Sequence, residues 1–154
     1  MVYCFIENLR LEMKKTMIFK SNSENDTAKF AEEIANNLGD FKTVCLYGEL
    51  GAGKTTFTRS FAKALGVKSR IISPTYVFVR THTAKNIKLY HIDAYRFESI
   101  DSKDEIKEIL GEDNAIIVIE WAEKIKSILP KKRIDIEFIY KNKNEREIRV
   151  KKSI

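Results

Sequence analysis

The chain has 154 residues, enough for one domain with a real core, and its 44% hydrophobic and 32% charged residues are those of an ordinary globular protein, not a disordered or low-complexity one. Two cysteines, Cys4 and Cys45, without CxxC or Cys/His spacing exclude a disulfide framework or a zinc module, and no apolar run reaches the roughly 18 residues that span a bilayer. The net charge is +6, and Lys131 to Ile154 hold nine Lys/Arg against four Asp/Glu, so the excess is expected there, either as a solvated strand surface or as weak attraction for nucleic acid or an acidic protein.

In chain order, residues 1–16 show no periodicity and are expected to be an extension or a misplaced start, leaving 17–154 as a single domain. Met17 to Lys20 is the first persuasive strand. Ser23 and Asp26 open a helix whose small or apolar positions Ala28, Phe30, Ala31, Ile34, Ala35 and Leu38 recur at helical spacing, and Gly39 stops it. Thr43 to Tyr47 is a short apolar run of the kind a buried strand requires. Gly48 to Gly53 breaks it, and a helix with the stripe Phe57, Phe61, Ala62, Ala64 and Leu65 runs to Gly66.

Tyr76 to Thr81 and Ile87 to Asp93 alternate with period two and are expected to form an antiparallel hairpin through Thr83-Ala84-Lys85-Asn86. Ser102 to Leu110 reads as a helix. Ala115 to Glu120 is too uniformly apolar for a half-exposed strand and belongs mid-sheet; Ala122 to Leu129 reads as a short helix stopped by Pro130. Arg133 to Tyr140 and Glu145 to Lys151 form a second hairpin. The fold expected is α/β of the P-loop NTPase kind: a central mixed, mostly parallel sheet flanked by helices, with antiparallel hairpins.

Gly48-Glu49-Leu50-Gly51-Ala52-Gly53-Lys54-Thr55 matches G-x-x-x-x-G-K-[ST] between a buried strand and a helix, the context that motif demands. Its glycines let successive N–H groups converge on phosphate oxygens at a helix N-terminus. Lys54 then reaches the β- and γ-phosphates, Thr55 offers its hydroxyl to Mg²⁺, and Thr56 follows in the first turn. The metal also needs a carboxylate from a neighbouring strand end. Glu120, ending AIIVIE, is the favoured ligand, with a helix N-terminal carboxylate as its alternative. Asp93 is a second ligand, a water-orienting group or a turn cap. Thr75, after Ser73-Pro74, is a phosphate-sensing residue or a plain turn residue, and Trp121 is either core or faces nucleotide or partner.

Four blocks now stand in order: Gly48–Gly66 (GELGAGKTTFTRSFAKALG), Ser73–Tyr76 (SPTY), Tyr90–Arg96 (YHIDAYR) and Ile119–Ile125 (IEWAEKI). Together, over roughly residues 17 to 140, they resemble the TsaE family; the first is shared by a vast superfamily, the other three at these separations are specific to it. The resemblance implies Lys54 and Thr55 as phosphate and magnesium residues, Glu120 as the Walker B magnesium residue, Asp93 as an active-site carboxylate and Trp121 as the family tryptophan. It implies ATP and Mg²⁺ as ligands, ATP hydrolysis, and association with TsaB and TsaD, which attach threonylcarbamoyl to adenosine in tRNA, the ATPase resetting that assembly. It also places Glu24 to Thr27 near adenine or ribose. A cytoplasmic location, no membrane, and weak or indirect contact with tRNA go with this reading.

Three rivals remain at this level. Asn142-Lys143-Asn144-Glu145 nearly spells the guanine-reading N-K-x-D, although no D-x-x-G follows the glycine loop. A small-molecule kinase would need an arginine lid, for which Arg59, Arg70, Arg80 and Arg96 are the material. A nucleotide-gated binding module without significant turnover would carry the same motif.

Overall fold

The computed structural model describes residues 16–74, 78–97 and 102–154. Its elements are β1 (Met17–Ser21), α1 (Glu24–Asn36), β2 (Thr43–Tyr47), α2 (Lys54–Ala64), β3 (Val79–Ala84), β4 (Ile87–Asp93), α3 (Ser102–Leu110), β5 (Ala115–Glu120), a 3₁₀ segment Ala122–Ile128, β6 (Arg133–Tyr140) and β7 (Arg146–Ser153). The proposed extension falls almost wholly on residues 1–15, and Thr75 and Tyr76 fall in the second gap, so those expectations lie outside the described residues.

The strands form one seven-stranded sheet in the order β1-β7-β6-β2-β5-β4-β3. Its centre, β6-β2-β5-β4, is parallel, and the outer pairs β3–β4, β6–β7 and β1–β7 are antiparallel. This is the mixed α/β fold expected. β2 and β5 occupy the middle because Val44, Cys45, Leu46, Ile117, Val118 and Ile119 carry no polar group needing water on either face, and all six are fully buried.

Helices cover both faces. On one, α1 and α2 bury Phe30, Ile34, Phe57 and Phe61 against Leu46, Ile136 and Phe138. The rings of Phe19, Phe30, Phe57 and Phe138 follow one another at centroid separations of 5.0, 5.8 and 5.8 Å, locking α1 and α2 to the β6 side of the sheet. On the other face, Ile106 and Ile109 of α3 and Ile125 pack on Tyr90, Ile92, Ile117 and Ile119.

The first helix begins as expected. Ser23 accepts a hydrogen bond from the Asp26 amide at 3.1 Å, while Asp26 Oδ2 takes the Asn22 amide at 3.0 Å, satisfying two exposed donors.

Three boundaries differ from the sequence reading. β3 starts at Val79 and runs on through Thr83 and Ala84, so the hairpin turns on Lys85 and Asn86 alone, with Lys85 at φ 52°; Phe78, at φ 60°, lies outside the strand. β7 spans Arg146–Ser153 instead of Glu145 to Lys151, because Asn142 Oδ1 holds the amides of Asn144 and Glu145 at 3.0 Å and keeps them in the turn. The expected helix at Ala122 to Leu129 is a run of tight 3₁₀ turns interrupted at Ile125 (φ −121°, ψ 25°). Tight turns of this kind are common in short connecting segments.

Among the described residues no helix is long and apolar enough to cross a membrane.

Candidate functional site

β2 ends at the sheet's centre, and its continuation must turn at once into α2. Gly48, Gly51 and Gly53 make that turn at φ 132°, 75° and 111°, values that L side chains rarely adopt. Gly48 is additionally required by space: a Cβ there would lie 2.5 Å from the Phe138 carbonyl oxygen of β6. Ala52 is buried and its amide returns to the Glu49 carbonyl at 3.2 Å, while Leu50 projects outward, 82% exposed. The hairpin turn braces the loop from outside, with Arg146 Nε donating to the Ala52 carbonyl at 3.2 Å.

Lys54 opens α2 and is only 5% exposed. Its ammonium donates to the carbonyls of Gly48 (2.6 Å) and Glu49 (2.8 Å) and lies 3.9 Å from the centre of the Trp121 ring. Burial pulls its pKa below the ordinary lysine value, opposed by the charges of Glu120, Glu123 and Asp93.

β4 and β5 run side by side in parallel with Asp93 opposite Glu120, so two carboxylates emerge at adjacent strand ends beside the loop. Both are buried, Asp93 at 3% and Glu120 at 2% exposure. Thr55 Oγ1 donates to Glu120 Oε2 at 2.9 Å, and Thr58 Oγ1 lies 3.3 Å from Oε1. His91 Nε2 is 2.8 Å from Oε1, from a fully buried ring whose Nδ1 meets no partner. Glu120 therefore faces the cradle and does not cap the 3₁₀ segment. The residue at the head of that segment is Trp121, held left-handed at φ 58°, ψ 42° with no capping bond. This backbone turn aims the indole back over the cradle, where it packs on Tyr95 at 4.8 Å between ring centres.

Asp93 does two things. Oδ1 accepts the Tyr95 amide at 2.9 Å, a turn-closing contact, and Oδ2 accepts the Ser73 hydroxyl at 2.8 Å.

Of the sequence-expected residues, Leu50, Gly51, Gly53, Lys54, Thr55, Thr56, Asp93, Glu120 and Trp121 line one cavity of ≈ 470 Å³, and Gly48, Glu49 and Ala52 do not. A second cavity of ≈ 560 Å³ adjoins it through Glu24, Gly51, Gly53 and Thr56 and extends between the start of α1 (Ser23, Thr27) and the hairpin turn (Lys143, Asn144, Arg146). Three participants were not singled out from the sequence: His91, Thr58 and Ser73. For His91 a signal existed, because its spacing of two from Asp93 on a strand puts both on one face.

Thr55, Glu120 and Asp93 offer hard oxygen donors at one spot, which suits Mg²⁺, an ion that takes one or two carboxylates and completes its shell with phosphate and water. Among the described residues no group of three or more His, Cys, Asp or Glu side chains is placed to hold a metal ion.

A mixed sheet whose central strand runs through a glycine-rich loop into a helix, with carboxylates at the neighbouring strand ends, defines an α/β protein of the strand–loop–helix cradle class. The model of one family, threonylcarbamoyl adenosine biosynthesis protein TsaE, matches residues 21–148, and the chain belongs to that family. It is 40% identical over 142 residues to the tRNA threonylcarbamoyladenosine biosynthesis protein TsaE of Aquifex aeolicus, covering 91% of this chain and 98% of the relative. To the protein of the same description from Bacillus subtilis it is 38% identical, covering 79% and 72%. The crystal structure of Bacillus subtilis YdiB superposes with a TM-score of 0.75 at 29% identity over 93% of this chain and 89% of that one. The family and both curated relatives are described by their part in threonylcarbamoyladenosine biosynthesis.

Proposed function

We propose that the protein binds ATP with Mg²⁺ in the cradle between β2 and α2, hydrolyses it slowly when alone, and uses that turnover in the cytoplasm to reset a TsaB–TsaD assembly that modifies tRNA. The observation that carries this reading is the 2.9 Å contact between the Thr55 hydroxyl and Glu120, made beside Lys54 and one strand from Asp93.

Each residue then has a task. The amides of the glycine loop and the N-terminus of α2 face the phosphates, and Lys54 exchanges its bonds to Gly48 and Glu49 for phosphate oxygens. Thr55 and Glu120 would hold the metal, with Asp93 beside them; when bound, the metal neutralises charge that develops on the phosphate oxygens. Asp93, buried and tethered by Ser73, is the carboxylate placed to orient water. Trp121 and Tyr95 roof the cradle and restrict solvent. The adjoining cavity, floored by the start of α1 and walled by Lys143 and Asn144, is where adenine and ribose fit, in line with the family resemblance at Glu24 to Thr27.

A guanine nucleotide is disfavoured. Asn142 Nδ2 donates to Glu145 Oε2 at 2.6 Å and its Oδ1 is filled by two turn amides, so the N-K-x-E segment is consumed by its own hairpin. A kinase is disfavoured too, because Arg59 and Arg70 line a cavity that shares no residue with the cradle. A nucleotide-gated module keeps one observation in its favour: the Ser73–Asp93 bond connects the surface segment preceding it to the cradle, so occupancy could be felt outside without turnover.

The test is Mg²⁺-dependent ATP hydrolysis with and without TsaB and TsaD, with Thr55→Ala and Glu120→Ala as controls. Stimulation by the partners that both variants lack supports the proposal. Nucleotide-dependent docking with unchanged turnover would replace it by the gated module.

A further inference from the structure

Part of the positive charge that is dense near the C-terminus is taken up by ion pairs. In the C-terminal stretch, Lys132 pairs with Asp40, Arg133 with Asp135 at 2.8 Å, Lys141 with Glu147 at 3.2 Å, and Arg149 with Glu137 and Glu147. A second concentration of positive charge sits in a cavity of ≈ 790 Å³ formed by the C-terminal half of α2 and the loop after it. Arg59 and Lys63 enter from the helix and Lys68 and Arg70 from the loop, and no carboxylate lines the space. All four are exposed, and none is in an ion pair with a described residue. Lys85, on the neighbouring β3–β4 turn, brings its Cε to within 3.9 Å of where a Cβ on Gly66 would stand, adding a fifth cation at the rim.

The loop is built, not merely draped. Arg59 Nε donates to the Ile71 carbonyl at 3.3 Å, Ser69 Oγ lies 2.8 Å from His82 Nδ1 of β3, and Val67 and Ile71 are buried beneath it. Holding several like charges together without counter-ions costs electrostatic energy that a polyanion relieves. Arg59 and Lys63, four apart on one helix, project from the same face about 6 Å apart, close to the repeat of successive phosphates along a nucleic-acid strand. The lining has no aromatic ring and no exposed apolar centre, so it lacks both the core of a protein–protein interface and the platform on which bases stack.

We propose that this cavity binds the phosphate backbone of RNA, contacting it without reading sequence. The site is separate from the nucleotide cradle, and the inference does not rest on ATP turnover.

Fluorescence anisotropy of a labelled, unmodified tRNA transcript titrated with the full chain tests it. Wild type should bind saturably at about 50 mM salt and weaken with added salt in proportion to the phosphates contacted. Lys63→Glu with Arg70→Glu should weaken binding at least about tenfold and flatten the salt slope by about 1 to 2. Lys131→Glu with Lys151→Glu, an equal change of net charge on exposed C-terminal positions, should stay within about twofold of wild type. Both variants should bind an ATP analogue as wild type does, which shows that they fold. The proposal is overturned by absent saturable binding, by equal losses in the two variants, or by poly-glutamate competing as well as the RNA does, which would make an acidic protein the occupant.

Discussion

His91 Nε2 stands 2.8 Å from Glu120 Oε1, on the strand next to it, with both side chains sealed from solvent. A buried carboxylate with several rotamers open to it is fixed here from two directions, by His91 on one side and by Thr55 on the other, where the Thr58 hydroxyl, 3.3 Å away, divides its proton between Glu120 and the Lys54 carbonyl. His91 is thus a positioning residue for the proposed metal-binding carboxylate. His91→Leu should lower kcat for ATP about 10- to 100-fold while leaving KM within about threefold, because it disturbs a ligand's orientation and not the phosphate cradle. His91→Gln, which retains an N–H donor, should recover part of the loss. Steady-state kinetics of the two variants decide the matter, and equal kcat in wild type and His91→Leu would return His91 to a packing role.

Lys54→Ala removes the cation proposed to face the phosphates. A charge-assisted hydrogen bond contributes about 1.5–3 kcal/mol, so the affinity for ATP should fall about 10- to 100-fold. Calorimetric titration with a non-hydrolysable ATP analogue measures it directly. Undiminished affinity would remove Lys54 from the phosphate site.

Two glycines of the same loop should respond differently to the same change. Gly48→Ala would force a Cβ to within 2.5 Å of the Phe138 carbonyl at φ 132°, and since β2 and β6 are paired up to that point the strands would have to part. A loss of about 2–4 kcal/mol is expected. At Gly51, φ is 75° and nothing lies within 4 Å, so Gly51→Ala should cost only about 1–2 kcal/mol of backbone strain. Urea denaturation of both variants checks the ordering.

Cys45 lies fully buried in β2, and burial, helped by the nearby Asp135 charge, pushes its thiol pKa up to about 12. The unfolded thiol titrates near ~8.5, so above that pH the unfolded state has lost a proton that the folded state keeps. Stability attributable to Cys45 is complete below pH ~8.5 and declines as pH rises toward the folded value. Between pH ~8.5 and ~10 the decline should approach about 2 kcal/mol. Wild type should therefore lose more stability than Cys45→Ala over that range, as followed by urea midpoints; parallel losses would contradict the assignment.

What could be read in advance was local. The glycine loop announces itself in eight consecutive residues, and the apolar runs at Val44 and Ile117 admit no place but the middle of a sheet. Glu120 and Asp93 were found because each ends such a run. The partners of those residues were harder to see: Thr58 and His91 reach Glu120 from a helix and a strand separated from it by 62 and 29 positions, and nothing in their immediate neighbours marks the encounter. The hairpin at Arg133 was foreseen as a closing feature, yet β6 lies beside β2 at the heart of the sheet, since parallel pairing depends on a crossover that sequence spacing does not encode. The C-terminal charge was visible and the pairing of Lys132 was not, because Asp40 lies 92 residues from it.

The order of strands also governs how the molecule can be made. Among the described residues β1 precedes the other strands in the chain and β7 follows them, and β1 is paired there with β7 alone. The turn after β1 and the turn before β7 together wall the cavity beside the glycine loop. A nascent chain that has already completed β2, the loop and α2 still lacks half of that wall, and its first strand waits unpaired. The proposed nucleotide binding should therefore arise only after β7 has been made, so that a copy ending before Arg146 would carry the whole phosphate motif and still be unable to enclose a nucleotide.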